Sequence, residues 1–155
     1  MTRELAIRAL ALGDIDSIAT WVAETPLWQH YHVTASGFAE RLVNGLKNGA
    51  TIFVAERANE VLGFLWFVEH GAFNRSAYVQ LIGVRPGARS SGVGRTLMQF
   101  AESHAKSNDI FLLVSDFNTE AQRFYQRLGY SQVGEIDDYV IPGTSELIYR
   151  KQLKR

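Results

Sequence analysis

The period of the apolar residues changes at Pro86-Gly87, and this change narrows the possible folds more than any other feature of the chain. Before it, Ala77 to Val84 reads as a strand. After it, Val93, Leu97, Met98, Ala101 and Ala105 recur at helical spacing, which predicts an amphipathic helix beginning near Gly92. Ile110 to Val114 follows as a short, wholly apolar strand, the pattern of a strand covered on both faces. A strand, a helix and a second strand in this order predict a βαβ unit with a parallel pair.

The flanking segments fill out a mixed α/β domain. Leu5 to Arg8 reads as a first strand, and Asp14 is placed to cap a helix with Ile15, Ile18, Ala19 and Val22 on one stripe. Thr34 or Ser36 caps a second helix that turns Phe38, Leu42, Val43 and Leu46 inward and stops at Gly49. Ala50 to Glu56 and Val61 to His70 form a predicted antiparallel hairpin across Arg57-Ala58-Asn59-Glu60. A last helix, Thr119 to Leu128, ends at Gly129, and two strands remain, Ser131 to Val140 and Glu146 to Lys154. The expectation is one domain across residues 1–155 with about seven strands and four helices. At 155 residues there is length for one core and no second.

Composition excludes several function classes. Lys and Arg number 16 and Asp and Glu number 16, so no net charge draws in nucleic acid or an anionic membrane, and any anion site is local. The absence of cysteine removes a thiol nucleophile and Cys-ligated metal. The longest apolar run, Val61 to Val68, is too short to span a bilayer, and Met1-Thr2-Arg3-Glu4-Leu5 lacks an apolar signal region; a cytoplasmic location is expected. His30 and His32 form an H-x-H pair without a third spaced ligand, so no metal is expected.

Val84-Arg85-Pro86-Gly87-Ala88-Arg89-Ser90-Ser91-Gly92-Val93-Gly94-Arg95-Thr96 is a strand end, a turn with two close glycines and a helix start. Unpaired N–H groups and the positive dipole end at a helix N-terminus favour an anion, and glycines admit it close to the backbone. The dinucleotide fingerprint fails because Leu97 stands where glycine is required, and the Walker pattern lacks its Gly-Lys-Ser/Thr. A glycine-rich helix start that merely packs tightly is the alternative.

Arg89-Ser90-Ser91-Gly92-Val93-Gly94 resembles the Arg/Gln-x-x-Gly-x-Gly/Ala signature of the Gcn5-related N-acetyltransferases. Asn118 to Tyr130 is similar to the Asn-x-x-Ala-x-x-x-Tyr-x-x-Leu-Gly-Phe/Tyr run of the same family, and the predicted element order matches its acyl-CoA N-acyltransferase fold. The resemblance implies acetyl-CoA as co-substrate and transfer of its acetyl group to a primary amine by direct attack on the thioester. It implies that the backbone of Arg89, Ser90, Ser91, Gly92, Val93, Gly94 and Arg95 holds the pyrophosphate. The pantetheine arm would lie along Ile82, Gly83 and Val84, pairing like an added strand where the two parallel strands splay. The Val84 N–H would polarise the thioester oxygen. Asn118 would bond the pantetheine or the local backbone, and Tyr125 would give a proton to the departing CoA thiolate. By spacing alone, Tyr125 reads more readily as a core aromatic on the helix stripe, and only the paired motif reverses that.

The fourth strand departs from the commoner family pattern, since Tyr78 and Gln80 stand where many members place a carboxylate. Glu69, His70, Glu24 and Asp116 are candidate bases by position, and the expectation is an amine that loses its proton through water. Trp28, Tyr31 and Glu69 are candidates for the acceptor pocket, with Phe38 beside the aromatics, while Glu135, Asp137 and Asp138 could attract a cationic acceptor. The implied partners are acetyl-CoA and an amine, without nucleic acid or membrane, in a possible homodimer. A non-catalytic acyl-CoA-binding module or sensor is the alternative, and a nucleotide-phosphate binder is a second.

Overall fold

The structure, a computed structural model, describes residues 4–153. Strands β1 (Ala6–Ala9), β2 (Thr51–Arg57), β3 (Glu60–Ala72), β4 (Ser76–Val84), β5 (Asp109–Ser115), β6 (Ser131–Ile136) and β7 (Glu146–Gln152) are accompanied by five α-helices. These are α1 (Ile15–Ala23), α2 (Pro26–His30), α3 (Ala35–Lys47), α4 (Val93–His104) and α5 (Thr119–Arg127). The strand order is β1-β2-β3-β4-β5-β7-β6. The mixed α/β architecture expected from the sequence is present, with one helix more than the four anticipated. The additional helix, α2, lies in the aromatic and histidine segment, where Pro26 occupies its first turn after Thr25.

The chain divides into two compact units, one of residues up to 67 with 81–101, the other of 68–80 with 102 onward. In the first, β1 pairs antiparallel with β2, and β2 with β3. Arg57 pairs with Glu60 across a two-residue turn in which Ala58 and Asn59 have φ of 53° and 65°, the geometry that matches strand twist. Ile18, Val22, Leu42, Val54 and Phe64 are fully enclosed in this core. Phe64 meets Trp21 and Phe38 of α1 and α3, while a Cβ at the neighbouring Gly63 would point at Val93 and Leu97 of α4. The two helix layers therefore cover opposite faces of β3.

In the second unit, β7 lies between β5 and β6, antiparallel to both. β4 pairs with β5 in parallel, as the βαβ reading requires, through Ala77–Ile110, Tyr78–Phe111 and Val79–Leu112. The ladder reaches no further along β4, which runs on to Val84. Helix α5 ends with Gly129 at φ 98°, Gly129 N–H donating to Gln126 and Tyr130 N–H to Tyr125, a Schellman closure.

Two expectations are corrected. Asp14 makes no side-chain cap on α1: its carboxylate accepts from the Ala11 N–H (2.8 Å) and from Arg8 (2.8 and 2.9 Å), a cation six residues back in the chain that outcompetes the helix amides. Strand β6 stops at Ile136 rather than Val140. Asp138 turns the chain at φ 51° and its carboxylate accepts from the Gly143 N–H at 2.6 Å, so Asp137 to Thr144 is a loop closed by its own side chains. Thr34, rather than Ser36, caps α3, accepting from the Gly37 N–H at 3.1 Å.

Candidate active site

The turn between β4 and α4 is built within the first unit. Arg85 N–H donates to Leu62 O at 2.8 Å, holding the end of β4 to β3, and Ala88 N–H donates to Arg85 O at 2.9 Å. Ala88 is buried and anchors the turn, while Arg89, Ser90, Ser91 and Gly92 are exposed. Gly87, Ser90 and Gly92 take φ of 92°, 64° and 86°. A Cβ added at Gly92 would meet nothing within 4 Å, so the residue is glycine for its backbone angle and not for tight packing.

The Ser91 hydroxyl donates to Ala88 O, which ties the turn internally. Thr96 sends both its N–H (3.0 Å) and its hydroxyl (2.9 Å) to Gly92 O. The Thr96 N–H opens the helical ladder, so those of Val93, Gly94 and Arg95 precede it and sit at the positive dipole end. Arg89 and Arg95 are exposed and make no ion pair among the described residues, whereas Arg85 lies 3.6 Å from Glu60. The turn thus offers open amides and two uncommitted guanidinium groups to an anion.

Along β4, Ile82 and Val84 are half-buried and Gly83 is buried. A Cβ at Gly83 would stand 2.5 Å from the Phe64 ring, so here glycine is demanded by close approach. Trp28 stacks on Phe38 with ring centroids 5.8 Å apart, and Tyr31 is half-buried with its ring edge-on to His30.

The second unit carries the other predicted residues. Asn118 is the N-cap of α5, its amide oxygen accepting from the Ala121 N–H at 3.2 Å, a bond to the local backbone. Tyr125 is buried among Phe124, Tyr130 and Tyr149, with centroids 5.1, 5.9 and 6.5 Å away. Burial holds its phenol protonated well beyond the ordinary range. Tyr130 is raised likewise by burial and by Glu102, to which its hydroxyl donates at 3.1 Å.

Glu69 accepts from the Lys106 N–H at 2.8 Å, and Asp116 from the Ser145 N–H at 3.2 Å, so both carboxylates tie loops. Gln122 escaped the sequence reading: its amide donates to Ser115 O (3.1 Å) and Asp116 O (3.0 Å), pinning the turn from β5 into α5. Its only signal was a polar residue one turn past the Asn118 cap. No cluster of three or more His, Asp or Glu is placed to hold a metal among the described residues.

Residues 15–130 match the family model described as Acetyltransferase (GNAT) family. A mycothiol acetyltransferase of Streptomyces avermitilis is 30% identical over 135 residues, which are 82% of this chain and 43% of that protein. The chain therefore spans less than half of that relative. A streptothricin acetyltransferase of Streptomyces lavendulae is 28% identical, covering 86% of this chain and 71% of that one. A Salmonella typhimurium acetyltransferase structure containing its cofactor acetyl-CoA superposes with a TM-score of 0.72 at 15% identity, over 97% of this chain and 95% of that one. Two sequence motifs, the fold that carries them and a family match over most of the length converge: the chain belongs to the GNAT acetyltransferase family.

Proposed function

We propose that the protein transfers the acetyl group of acetyl-CoA to a primary amine. The observation that carries this reading is the exposed turn at Arg89 to Arg95, held open by positive φ at Ser90 and Gly92, with Arg89 and Arg95 uncommitted. Such a turn fits a pyrophosphate by amides, dipole and charge together. Ile82, Gly83 and Val84 would hold the pantetheine arm through strand-like bonds, since the ladder to β5 has ended by Val79.

The co-substrate supplies an activated thioester carbonyl. The Val84 N–H would polarise its oxygen. The amine attacks in its neutral form, and its proton leaves to water, because Tyr78 and Gln80 of β4 offer no carboxylate. As the carbon–sulfur bond breaks, Tyr125 would protonate the thiolate and regain its proton from solvent, the role that the family motif implies for this position.

Thermal unfolding with acetyl-CoA and with ATP, followed by thiol release with a panel of amines, tests the reading. Acetyl-CoA at about 100 times its Kd stabilises by about 2.7 kcal/mol, a rise of several degrees. Thiol release with an amine supports transfer. Stabilisation by acetyl-CoA without turnover of any amine would instead make the chain an acyl-CoA-binding module, and stabilisation by ATP alone would remove acetyl-CoA from the reading.

A further inference from the structure

A cavity of about 270 Å³ opens in the second unit between the β3–β4 turn and the segment that enters β5, lined by Arg75, Ser76, Lys106, Ser107, Asn108 and Asp109. Hydrogen bonds fix its floor. The Ser107 hydroxyl accepts from the Ala77 N–H at 2.9 Å and donates to Asp109 O at 2.7 Å, and Asn108 O accepts from the Leu153 N–H at 2.7 Å. Asp109, the one carboxylate in the lining, is neutralised by Arg150, whose Nε and Nη2 each lie 2.8 Å from Oδ1. Glu69 accepts from the Lys106 N–H and does not line the cavity. The other two charges are cationic: Arg75 and Lys106 are exposed, and neither side chain makes an ion pair or hydrogen bond among the described residues. The cavity is therefore positive in a chain of zero net charge.

Ser76 is the feature that points to a ligand. It is 5% exposed and lines the cavity, and its hydroxyl makes no hydrogen bond among the described residues yet is not sealed from solvent. The little surface it keeps thus belongs to the cavity wall. A hydroxyl buried to this degree is ordinarily hydrogen-bonded, so an acceptor brought into the cavity is favoured. Ser107 cannot answer the same need, because its proton is already given to Asp109 O. Arg75 and Ser76 on one side and Lys106 on the other make three donors for one anion. A tetrahedral phosphate turns an oxygen toward each, whereas a planar carboxylate has two oxygens to share.

We propose that this cavity is a phosphate site, taking free phosphate or the phosphate group of a small monoester. Ser76 donates to one oxygen, and Arg75 and Lys106 neutralise the charge. The volume falls just short of that of drug-sized pockets, which suits one phosphate group with few atoms attached. None of the lining residues belongs to the Arg89 to Arg95 turn, so the site does not rest on the acetyl-transfer reading.

Amide chemical shifts of the isotope-labelled full chain, titrated with inorganic phosphate against NaCl of equal ionic strength, test the site. Saturable shifts are expected at Ser76, Lys106, Ser107 and Asn108, and Arg89→Gln/Arg95→Gln retains them. Arg75→Gln/Lys106→Gln weakens phosphate about tenfold and Ser76→Ala severalfold, with acetate weaker than phosphate throughout. The ligand-free unfolding temperature stays in place in both variants, since none of the three side chains has a partner to lose. Glycerol phosphate separates the two sources: tighter binding than phosphate supports a monoester, and equal or weaker binding supports free phosphate. Shifts no greater than those in NaCl, shifts confined to Gly92 to Arg95, wild-type affinity in either variant, or equal binding of acetate overturns the proposal.

Discussion

Tyr125, the proposed proton donor, is where one side chain would carry the most chemistry. Its neighbours are aromatic and its proton is retained, so removing the hydroxyl while keeping the ring leaves packing nearly unchanged. Tyr125→Phe is expected to lower kcat about 10–100-fold with acetyl-CoA affinity preserved, measured by thiol release and by ligand-dependent unfolding; a thiolate leaves moderately well unaided, which caps the effect. The same burial has a stability consequence. Tyr125 and Tyr130 have folded pKa values above their unfolded value near 10, so the folded state keeps protons that the unfolded chain releases. Their contribution is complete below about pH 10 and is lost as pH rises past it, by up to about 1.4 kcal/mol per pH unit per phenol. Tyr130→Phe should flatten that alkaline decline in a pH series of urea unfolding, and an unchanged slope would contradict the assignment. The motif singles out Tyr125 as a residue, whereas its surroundings were only partly legible: Tyr130 follows it through the local helix closure, while Tyr149 reaches it from β7 by tertiary packing.

Among the elements, glycines separate what was readable from what was not. Gly92 opens a helix at φ 86° in open space, a local need that the sequence motif expresses directly. Gly92→Ala strains that angle by roughly 1–2 kcal/mol and reshapes the amides, so the acetyl-CoA-induced rise in unfolding temperature should shrink by more than half. Gly83 answers to a different cause, the Phe64 ring on the adjacent strand, which no local pattern reveals. Gly83→Ala is expected to cost about 1–3 kcal/mol in global stability, and Phe64→Leu to relieve part of that cost in a double-mutant cycle. The hairpin at Ala58-Asn59 was readable because two β-rich runs bracket a four-residue segment with three polar residues. Helix α2 was not, since five residues are too few to show a period, and the end of β6 is set by Asp138 reaching forward to Gly143.

For the whole molecule, 16 basic and 16 acidic residues cancel, so no long-range field steers an anionic co-substrate toward the protein. Charge acts where it is local and unpaired, as at Arg89 and Arg95 on the exposed turn. This separates two properties that the composition alone merges. If attraction came from the global field, it would vanish in a neutral chain, and acetyl-CoA affinity would respond little to salt. With two uncommitted guanidinium groups beside the helix start, affinity should instead fall severalfold between 50 mM and 500 mM NaCl, as screening shortens the reach of those charges. Arg89→Gln/Arg95→Gln should weaken acetyl-CoA about tenfold at low salt and flatten the salt dependence, measured by calorimetry across a NaCl series, with the ligand-free unfolding temperature unchanged because neither side chain makes an ion pair. An equally steep salt dependence in the double variant would place the attraction elsewhere on the surface and remove Arg89 and Arg95 from the pyrophosphate site.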